Sequence, residues 1–219
     1  GFMNPLFDFK NKTGIVGELV SELKERNQFG GFGNMSFNYE YMKRILERKM
    51  QEANVEVLYN TTYSRTLKKK KRVYGIIAEN ISGRFAVMAK MIVDCTGDGN
   101  VAANAGCSFE LGENGDYTAC QAMTLMFLVG NIPEKYRNGL MLYEKLGAAY
   151  GKAGKQIPFK VPYLIPVPHS HFGVVQFTHM YDYDPLCAKA LTEATMEGRT
   201  QIIDAFEFLK AYDEEFHDL

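Results

Sequence analysis

The chain has 219 residues, of which 46% are hydrophobic and 23% are charged, and its formal net charge is −1. This composition is typical of a globular protein, and no stretch reaches the roughly 18 consecutive apolar residues of a membrane span. A net charge this close to zero does not attract nucleic acid. The basic run at residues 68–72 lies between two strand patterns, which is typical of a solvated hairpin tip. We therefore expect a protein that binds neither nucleic acid nor membrane.

The cysteines indicate the compartment. They show no Cys-x-x-Cys spacing of the kind used by zinc sites, iron–sulfur clusters and redox dithiols. Each has apolar or small neighbours, which predicts buried free thiols in a reducing compartment and hence a cytoplasmic protein. The four residues are Cys95, Cys107, Cys120 and Cys187.

Two amphipathic helices are predicted in the first quarter of the chain. Apolar residues recur at helical spacing over residues 15–26 and again over residues 39–53, where Asn38 can cap the N-terminus. Asn54 can end the second helix in a left-handed conformation. Residues 55–59 then alternate as a short strand, so helix and strand together predict half of a β-α-β unit.

Strand patterns alone cover residues 61–94. They predict a three-stranded meander over residues 61–67, 73–79 and 84–88, followed by a buried strand at residues 91–94. Small helix formers at residues 101–105 then predict a helix.

The second half of the chain mixes both patterns. A helix that starts with proline is predicted over residues 133–150, and a hairpin over residues 161–167 and 172–183. Asp184 is predicted to cap a long helix that begins with Pro185 and ends near residue 213. The pattern changes near Thr118, so the predicted domains are residues 1–118 and 119–219.

Two histidines near the hairpin tip raise the question of a metal site. His169 and His171 share one face of an extended segment, which would suit a metal if carboxylates joined them. The neighbouring Pro168 and Gly173 instead indicate the tip of a hairpin, so no metal site is predicted.

The turn Thr96-Gly97-Asp98-Gly99 joins the predicted buried strand to the helix. Glycines let a ligand approach the backbone, and the free N–H groups of a following helix favour an anion such as a pyrophosphate. The carboxylate of Asp98 repels phosphate but accepts hydrogen bonds from hydroxyls, so we expect it to face a polyol chain. A polyol joined to a pyrophosphate describes FAD. The alternative is a tight turn without a ligand, with Asp98 exposed or capping the helix.

Residues 38–106 as a whole resemble the FAD-dependent oxidoreductases of the glutathione-reductase-like superfamily, and specifically a bacterial group with the signature IDATGDGDVAALAGA. The chain reads IVDCTGDGNVAANAG at residues 92–106. CQAMTLMFLVG at residues 120–130 is similar to QPMTLMFRVG of that group, and the segment at residues 181–201 is similar to its TDPEDLTRAELEGRRQ. GFMNPL at residues 1–6 resembles GLVNPF. Three departures from the group's pattern are Asn100 for Asp, Ala122 for Pro and His179 for Arg.

The resemblance implies an α/β fold: a partial Rossmann-like FAD-binding domain with a β-meander, then part of an antiparallel-sheet substrate domain with a long C-terminal helix. It implies FAD as the cofactor. The cofactor-binding residues implied are Thr96, Gly97, Asp98 and Gly99 in the turn, and Thr62 and Tyr63 in the first meander strand.

The family holds the pyrophosphate with a G-x-G-x-x-G loop after its first strand, and no such loop is found in the sequence. Gly14-x-x-Gly17 lacks the middle glycine and a preceding strand. We therefore expect an internal portion of a larger flavoprotein, which by itself binds FAD poorly.

Three residues are candidates for catalysis. Gln121 and Thr124 follow the turn and can meet flavin or substrate with polar groups; a loop glutamine and a strand threonine are the alternative. His179 lies on the Val175-Phe177-His179-Tyr181 face of a predicted strand, where an imidazole can act as acid or base. A half-buried histidine bonded to a neighbour is the alternative for His179.

The function expected from these features is FAD-dependent oxidation or reduction of a small organic substrate, by hydride or electron transfer to flavin. The sequence makes no prediction of the substrate or the oligomeric state. Two other classes stay open: a non-catalytic binding or assembly module derived from a flavoprotein fold, and an enzyme that uses a different nucleotide.

Overall fold

The computed structural model describes residues 11–158 and 162–219. The chain divides into two compact units, the first formed by Gly1–Lys49 and Asp116–Leu219 and the second by Met50–Gly115. One break falls close to Thr118, where the sequence pattern changes, and the other falls inside the second helix. The predicted domain ranges, residues 1–118 and 119–219, stay a prediction. The GFMNPL segment lies outside the described residues.

The first unit begins with two helices, α1 (Gly14–Glu25) and α2 (Tyr39–Glu52), which confirms both predicted helices. Asn38 caps α2 as expected, since its Oδ1 accepts a hydrogen bond of 3.1 Å from the N–H of Glu40. Asn54 has a φ of 54°, the left-handed conformation predicted for the residue that ends the helix. The apolar faces of α1 and α2 share a small core of Val20, Leu23, Phe29, Phe37 and Ile45.

The rest of the first unit is an antiparallel sheet with two helices. Four strands, β4 (Phe127–Val129), β5 (Leu140–Met141), β6 (Tyr163–Pro166) and β7 (Gly173–Gln176), lie in the order β4-β7-β6-β5. Helices α4 (Tyr143–Lys152) and α5 (Ala188–Tyr212) pack on each other and on the sheet. Three residues are fully buried in the shared core: Leu146 of α4, Ala205 of α5, and Phe177, which directly follows β7. The antiparallel sheet predicted for this part of the chain is confirmed.

The single helix predicted over residues 133–150 is wrong in its first half. Only a short 3-10 turn, Glu134–Tyr136, follows Pro133. Gly139 then has a φ of 92°, and its Cβ position would lie 2.5 Å from the ring of Phe32, so glycine is required there. Pairing of β5 with β6 keeps residues 140–141 extended, and the helix begins only at Tyr143.

The predicted hairpin around His169 is confirmed, with shorter strands than expected. β6 and β7 pair antiparallel, and His169 at the tip has a φ of 53°. Val161 lies outside the described residues. The predicted long C-terminal helix is also present, but it begins at Ala188 instead of Pro185, because Asp184 Oδ1 accepts from the N–H of Leu186 at 2.8 Å and forms a separate turn.

The second unit contains the predicted meander. Strands β1 (Thr62–Lys69), β2 (Arg72–Asn80) and β3 (Gly83–Met88) form a three-stranded antiparallel sheet in sequence order, and Lys70 and Lys71 of the basic run form the β1–β2 turn. Helix α3 (Asn100–Ala105) packs against β1. Thr66 of β1 is buried and joins the two, donating from Oγ1 to the Val101 carbonyl at 3.0 Å and from its N–H to Asn104 Oδ1 at 2.9 Å.

Two strands predicted in the second unit are wrong. Residues 55–59 and 91–94 form no strand, and within the described part of the chain no other strand pairs with them. Val55 is 48% exposed, and Met91 and Val93, in the segment predicted to be a buried strand, are 82% and 79% exposed. The hydrophobic pattern identifies segments suited to a sheet interior, but a strand forms only where a partner supplies its hydrogen bonds.

The cysteine prediction is half correct. All four cysteines are free thiols, but Cys95, Cys107 and Cys187 are exposed and Cys120 is half-buried, so the predicted burial is wrong. Cys95 and Cys107 follow the unpaired segment and the end of α3, where no core covers them. No described helix is both long enough and apolar enough to span a membrane.

An ion-pair cluster holds the last turn of the first unit in place. Glu215 accepts hydrogen bonds from Lys135, Lys145 and the hydroxyl of Tyr136. Tyr136 stacks on the buried ring of Phe216 at a centroid distance of 5.5 Å. The hydrogen bond from Lys135, then those from Lys145 and Tyr136, lower the pKa of Glu215 from 4.5 to about 2.

This cluster makes stability depend on pH. A carboxyl with a lowered pKa in the folded state stabilises it fully above its unfolded pKa, and that contribution is lost as pH falls through the window from 4.5 to about 2. We expect Glu215→Gln to lower the thermal unfolding midpoint above pH 5 and to match the wild type near pH 2. Glu214→Gln, next to it and outside the cluster, is the control; an equal pH dependence in both variants would contradict the assignment.

Candidate functional site

The turn after residue 94 is built by the side chains of Asp94 and Thr96. Asp94 Oδ1 accepts from the N–H of Thr96 at 3.0 Å and from its hydroxyl at 2.7 Å, while Oδ2 accepts from the N–H of Ala102 at 2.9 Å. Thr96 Oγ1 accepts from the N–H of Asn100 at 2.8 Å. Two side chains thus close the turn and cap α3 together.

These hydrogen bonds fix the charge of the turn. The Thr96 hydroxyl first, and then the N–H of Ala102, lower the pKa of Asp94, so that its carboxylate is ionised at neutral pH. The first N–H groups of α3 are occupied by this carboxylate and by Thr96. The N-terminus of α3 therefore carries an anion of the protein itself, which disfavours the pyrophosphate contact expected there from the sequence.

The outer part of the turn is open. The side chain of Asp98 is exposed, and it makes no hydrogen bond or ion pair with any residue in the described ranges. Gly99 has a φ of 63°, and a Cβ placed on Gly97 or Gly99 would meet no atom within 4 Å. A ligand can reach the backbone and the carboxylate of Asp98 at this surface, and Asp98 does not cap the helix, since Asp94 and Thr96 do.

The structure brings Tyr63 to the helix that follows the turn. Its hydroxyl lies 2.7 Å from Thr66 Oγ1, which in turn donates to the Val101 carbonyl of α3. Thr62, the other residue predicted in this strand, is exposed at the start of β1 opposite Glu79. The strand and the turn are thus joined through α3, with Tyr63 contributing a structural contact and Thr62 an exposed hydroxyl.

The candidate residues Thr124 and His179 belong to the first unit and stand opposite each other. Met123 and Met180 exchange two backbone hydrogen bonds of 2.9 Å, which sets an antiparallel register. The next pair in that register is Thr124 and His179, and residues directly opposite in an antiparallel pair present side chains on the same face. Gln121, the third candidate, is exposed two residues before this bridge.

A bulge separates this bridge from the sheet and explains why β7 ends early. Thr178 is fully buried, and its hydroxyl lies 2.6 Å from the N–H and 2.9 Å from the carbonyl of Leu125, in place of backbone pairing. Phe127 of β4 pairs with Val175 of β7, whereas Met123 pairs with Met180. The segment after Val175 therefore has one residue more than the segment before Phe127, and two of its residues lie opposite Met126 alone. The single strand predicted over residues 172–183 is therefore broken after Gln176.

His179 is held from the other side by a residue that the sequence analysis missed. Gln201 of α5 accepts from the His179 N–H at 3.0 Å through Oε1 and donates to the His179 carbonyl at 3.0 Å through Nε2. The imidazole is half-buried, with Nδ1 3.3 Å from the Phe177 carbonyl. Gln201 ends the segment that is similar to the family's TDPEDLTRAELEGRRQ, which is the signal that could have pointed to it.

A cleft of about 260 Å³ opens beside Thr124. No charged side chain lines it, so it suits an uncharged group. Its walls are Met123, Thr124, Leu125, Met180, Leu191, Ala194 and Thr195. Within residues 11–158 and 162–219, no group of three or more His, Cys, Asp or Glu side chains is arranged to hold a metal ion.

Comparison with known proteins identifies one relation. The model of a protein family described as FAD dependent oxidoreductase matches residues 2–219, which is nearly the whole chain. Neither the curated proteins nor the solved structures give a match.

Proposed function

Because this chain belongs to the FAD dependent oxidoreductase family, whose cofactor is FAD, we propose that its turn at residues 96–99 forms one wall of the FAD site of a larger flavoenzyme. The observation that carries the proposal is the difference between two carboxylates. Asp94 accepts the hydrogen bonds that close the turn, whereas Asp98 is an exposed acceptor between two glycines.

The turn suits the hydroxyl-bearing chain of FAD better than its pyrophosphate. Two carboxylates in one short turn repel phosphate, and the ionised Asp94 already occupies the N-terminus of α3. An exposed carboxylate next to open backbone accepts hydrogen bonds from hydroxyl groups. We assign Asp98 to those hydroxyls, Gly97 and Gly99 to close backbone approach, and Thr96 to the closure of the turn.

The second unit is proposed to be part of a Rossmann-like domain of the glutathione-reductase-like superfamily. Residues 55–59 and 91–94 have the composition of buried strands, but expose Val55, Met91 and Val93. Both segments thus carry apolar surface of the kind that a Rossmann-like domain buries. The resemblance of residues 92–106 to the bacterial signature, with Asn100 in place of its Asp, supports the same subgroup.

The parent protein is proposed to oxidise or reduce a small organic substrate. When bound, FAD supplies the hydride or electron transfer, while the protein positions the substrate and excludes water. Thr124 lines the first unit's uncharged cleft and lies opposite His179 in the antiparallel register, and Gln121 is exposed just before them. We propose these three as the residues that meet substrate or flavin. The free thiols support a cytoplasmic location.

The visible absorption spectrum tests this proposal. We expect the purified full-length gene product, supplied with FAD and passed through gel filtration, to retain a flavin spectrum, and the flavin released by denaturation to be FAD. The 219-residue chain alone is expected to lose the flavin on the column, because it supplies only one wall of the site. A full-length protein that emerges colourless would refute the proposal, and a yellow isolated chain would refute the claim of a single wall.

A further inference from the structure

Gln201 occupies a special place relative to His179. At the Met123–Met180 bridge the backbone groups of both residues point at each other, so the backbone groups of the next residue, His179, point to the opposite side. On that side lies α5, and Gln201 meets both the N–H and the carbonyl of His179 at 3.0 Å. A side-chain amide thus takes the position that a neighbouring strand would take.

The orientation of the Gln201 amide is itself fixed. Its Nε2 also donates to Glu197 Oε1 at 2.9 Å, one turn earlier on α5, and Glu197 Oε2 accepts from the hydroxyl of Tyr183 at 2.8 Å. A carboxylate only accepts hydrogen bonds, so the amide nitrogen must face Glu197 and the His179 carbonyl. The amide oxygen is then left for the His179 N–H, which is the arrangement observed.

The two hydrogen bonds between Gln201 and the main chain of His179 form a main-chain clamp, which bears on where the imidazole lies. Nδ1 of His179 is 3.3 Å from the Phe177 carbonyl oxygen, and because a carbonyl only accepts, this contact favours a proton on Nδ1. This hydrogen bond spans two residues of the bulged segment, so it depends on the backbone conformation that Gln201 holds.

We propose that Gln201 is a positioning residue, which clamps the main chain of His179 so that its imidazole stays on the Thr124 face as the Nδ1–H tautomer. Gln201 acts through His179 and need not touch substrate or flavin. The inference rests on the proposed function only in so far as His179 takes part in the reaction; the clamp itself stands independently.

The test uses the full-length protein with Gln201→Met, which keeps the size of the side chain and removes both hydrogen bonds. Hydrogen–deuterium exchange in the peptide spanning residues 177–183 is expected to accelerate roughly five- to tenfold. The ¹⁵N shifts of the His179 imidazole are expected to move from the Nδ1–H pattern toward a mixture of tautomers. Thr200→Ala, which removes a neighbouring 3.2 Å hydrogen bond to Met196, should change neither measurement.

Three outcomes overturn the proposal: unchanged exchange at residues 177–183, an acceleration spread evenly over the first unit, or an unchanged tautomer. If Gln201→Met does not fold, Glu197→Met leaves Gln201 in place but removes the acceptor that orients it, and the same changes are expected at smaller size. His179→Ala tests the proposed function separately. If it leaves the spectrum and the reduction potential of bound FAD unaltered, the contact of His179 with flavin is refuted while the clamp can still hold.

Discussion

Replacement of Phe177 by alanine is expected to lower the free energy of unfolding of the first unit by about 3–5 kcal/mol. The side chain is completely buried, and its ring centroid lies 5.8 Å from that of Tyr150 in the core shared by the sheet, α4 and α5. Removing the ring leaves a cavity between elements that the rest of the core holds apart. Urea unfolding followed by circular dichroism measures the loss.

Phe172→Ala is the matched control for this substitution. Phe172 is 51% exposed near the tip of the same hairpin, so its removal is expected to change stability by roughly 0.5 kcal/mol or less. A loss in Phe172→Ala as large as that in Phe177→Ala would contradict the location of the core. A loss below roughly 1 kcal/mol for Phe177→Ala would do the same.

Gly198→Leu is expected to destabilise the first unit by about 1–3 kcal/mol. Gly198 lies in α5 where the helix crosses the bridge, and a Cβ at this position would lie 3.0 Å from Met180 Cε and 3.2 Å from Leu125 Cβ. The larger side chain must push α5 away from the bridge. Because Gln201 is on the same helix, faster hydrogen exchange at residues 177–183 should accompany the loss of stability.

Gly151→Leu in α4 controls for the change of residue type. A Cβ at Gly151 would meet no atom within 4 Å, and leucine has a higher helix propensity than glycine. We expect it to leave stability unchanged or to raise it by up to about 1 kcal/mol. Equal destabilisation by both substitutions would show that close packing at Gly198 is not the cause.

Local patterns were sufficient for the elements whose partners are adjacent in sequence. The meander follows from three runs with turns between them, since each strand pairs with its neighbour along the chain. Helices α1 and α2 follow from helical spacing of apolar residues, and Asn38 and Asn54 from the chemistry of helix ends. These predictions needed no knowledge of tertiary contacts.

Elements that depend on distant partners were not predictable in the same way. The strands expected at residues 55–59 and 91–94 lack a partner among the described residues and stay irregular, while β5 is a strand only because β6 pairs with it. The bulge opposite Met126 arises from the hydroxyl of Thr178, whose role no period of two or 3.6 residues reveals.

The candidate site likewise contains residues that local patterns identify and residues that they do not. Thr96, Gly97, Asp98 and Gly99 were identified by the turn pattern and by resemblance, and these assignments stay predictions. The role of Asp94 was missed, because at residue 94 a carboxylate at the end of an apolar run reads as the end of a strand. Gln201 was missed because its partner is the backbone of His179, and a backbone contact leaves no trace in the spacing of either residue.

The most direct test of the central claim is the affinity of the full-length protein for FAD in Asp98→Ala and Asp98→Asn variants. The loss of a hydrogen bond from a ligand hydroxyl to a charged acceptor predicts an affinity about 10–100-fold lower in Asp98→Ala. Asp98→Asn, which keeps an acceptor without its charge, should fall between that variant and the wild type. Glu113→Ala, at another exposed carboxylate of the same unit, should bind as the wild type does. An unchanged affinity in Asp98→Ala would contradict the assignment of this turn to FAD.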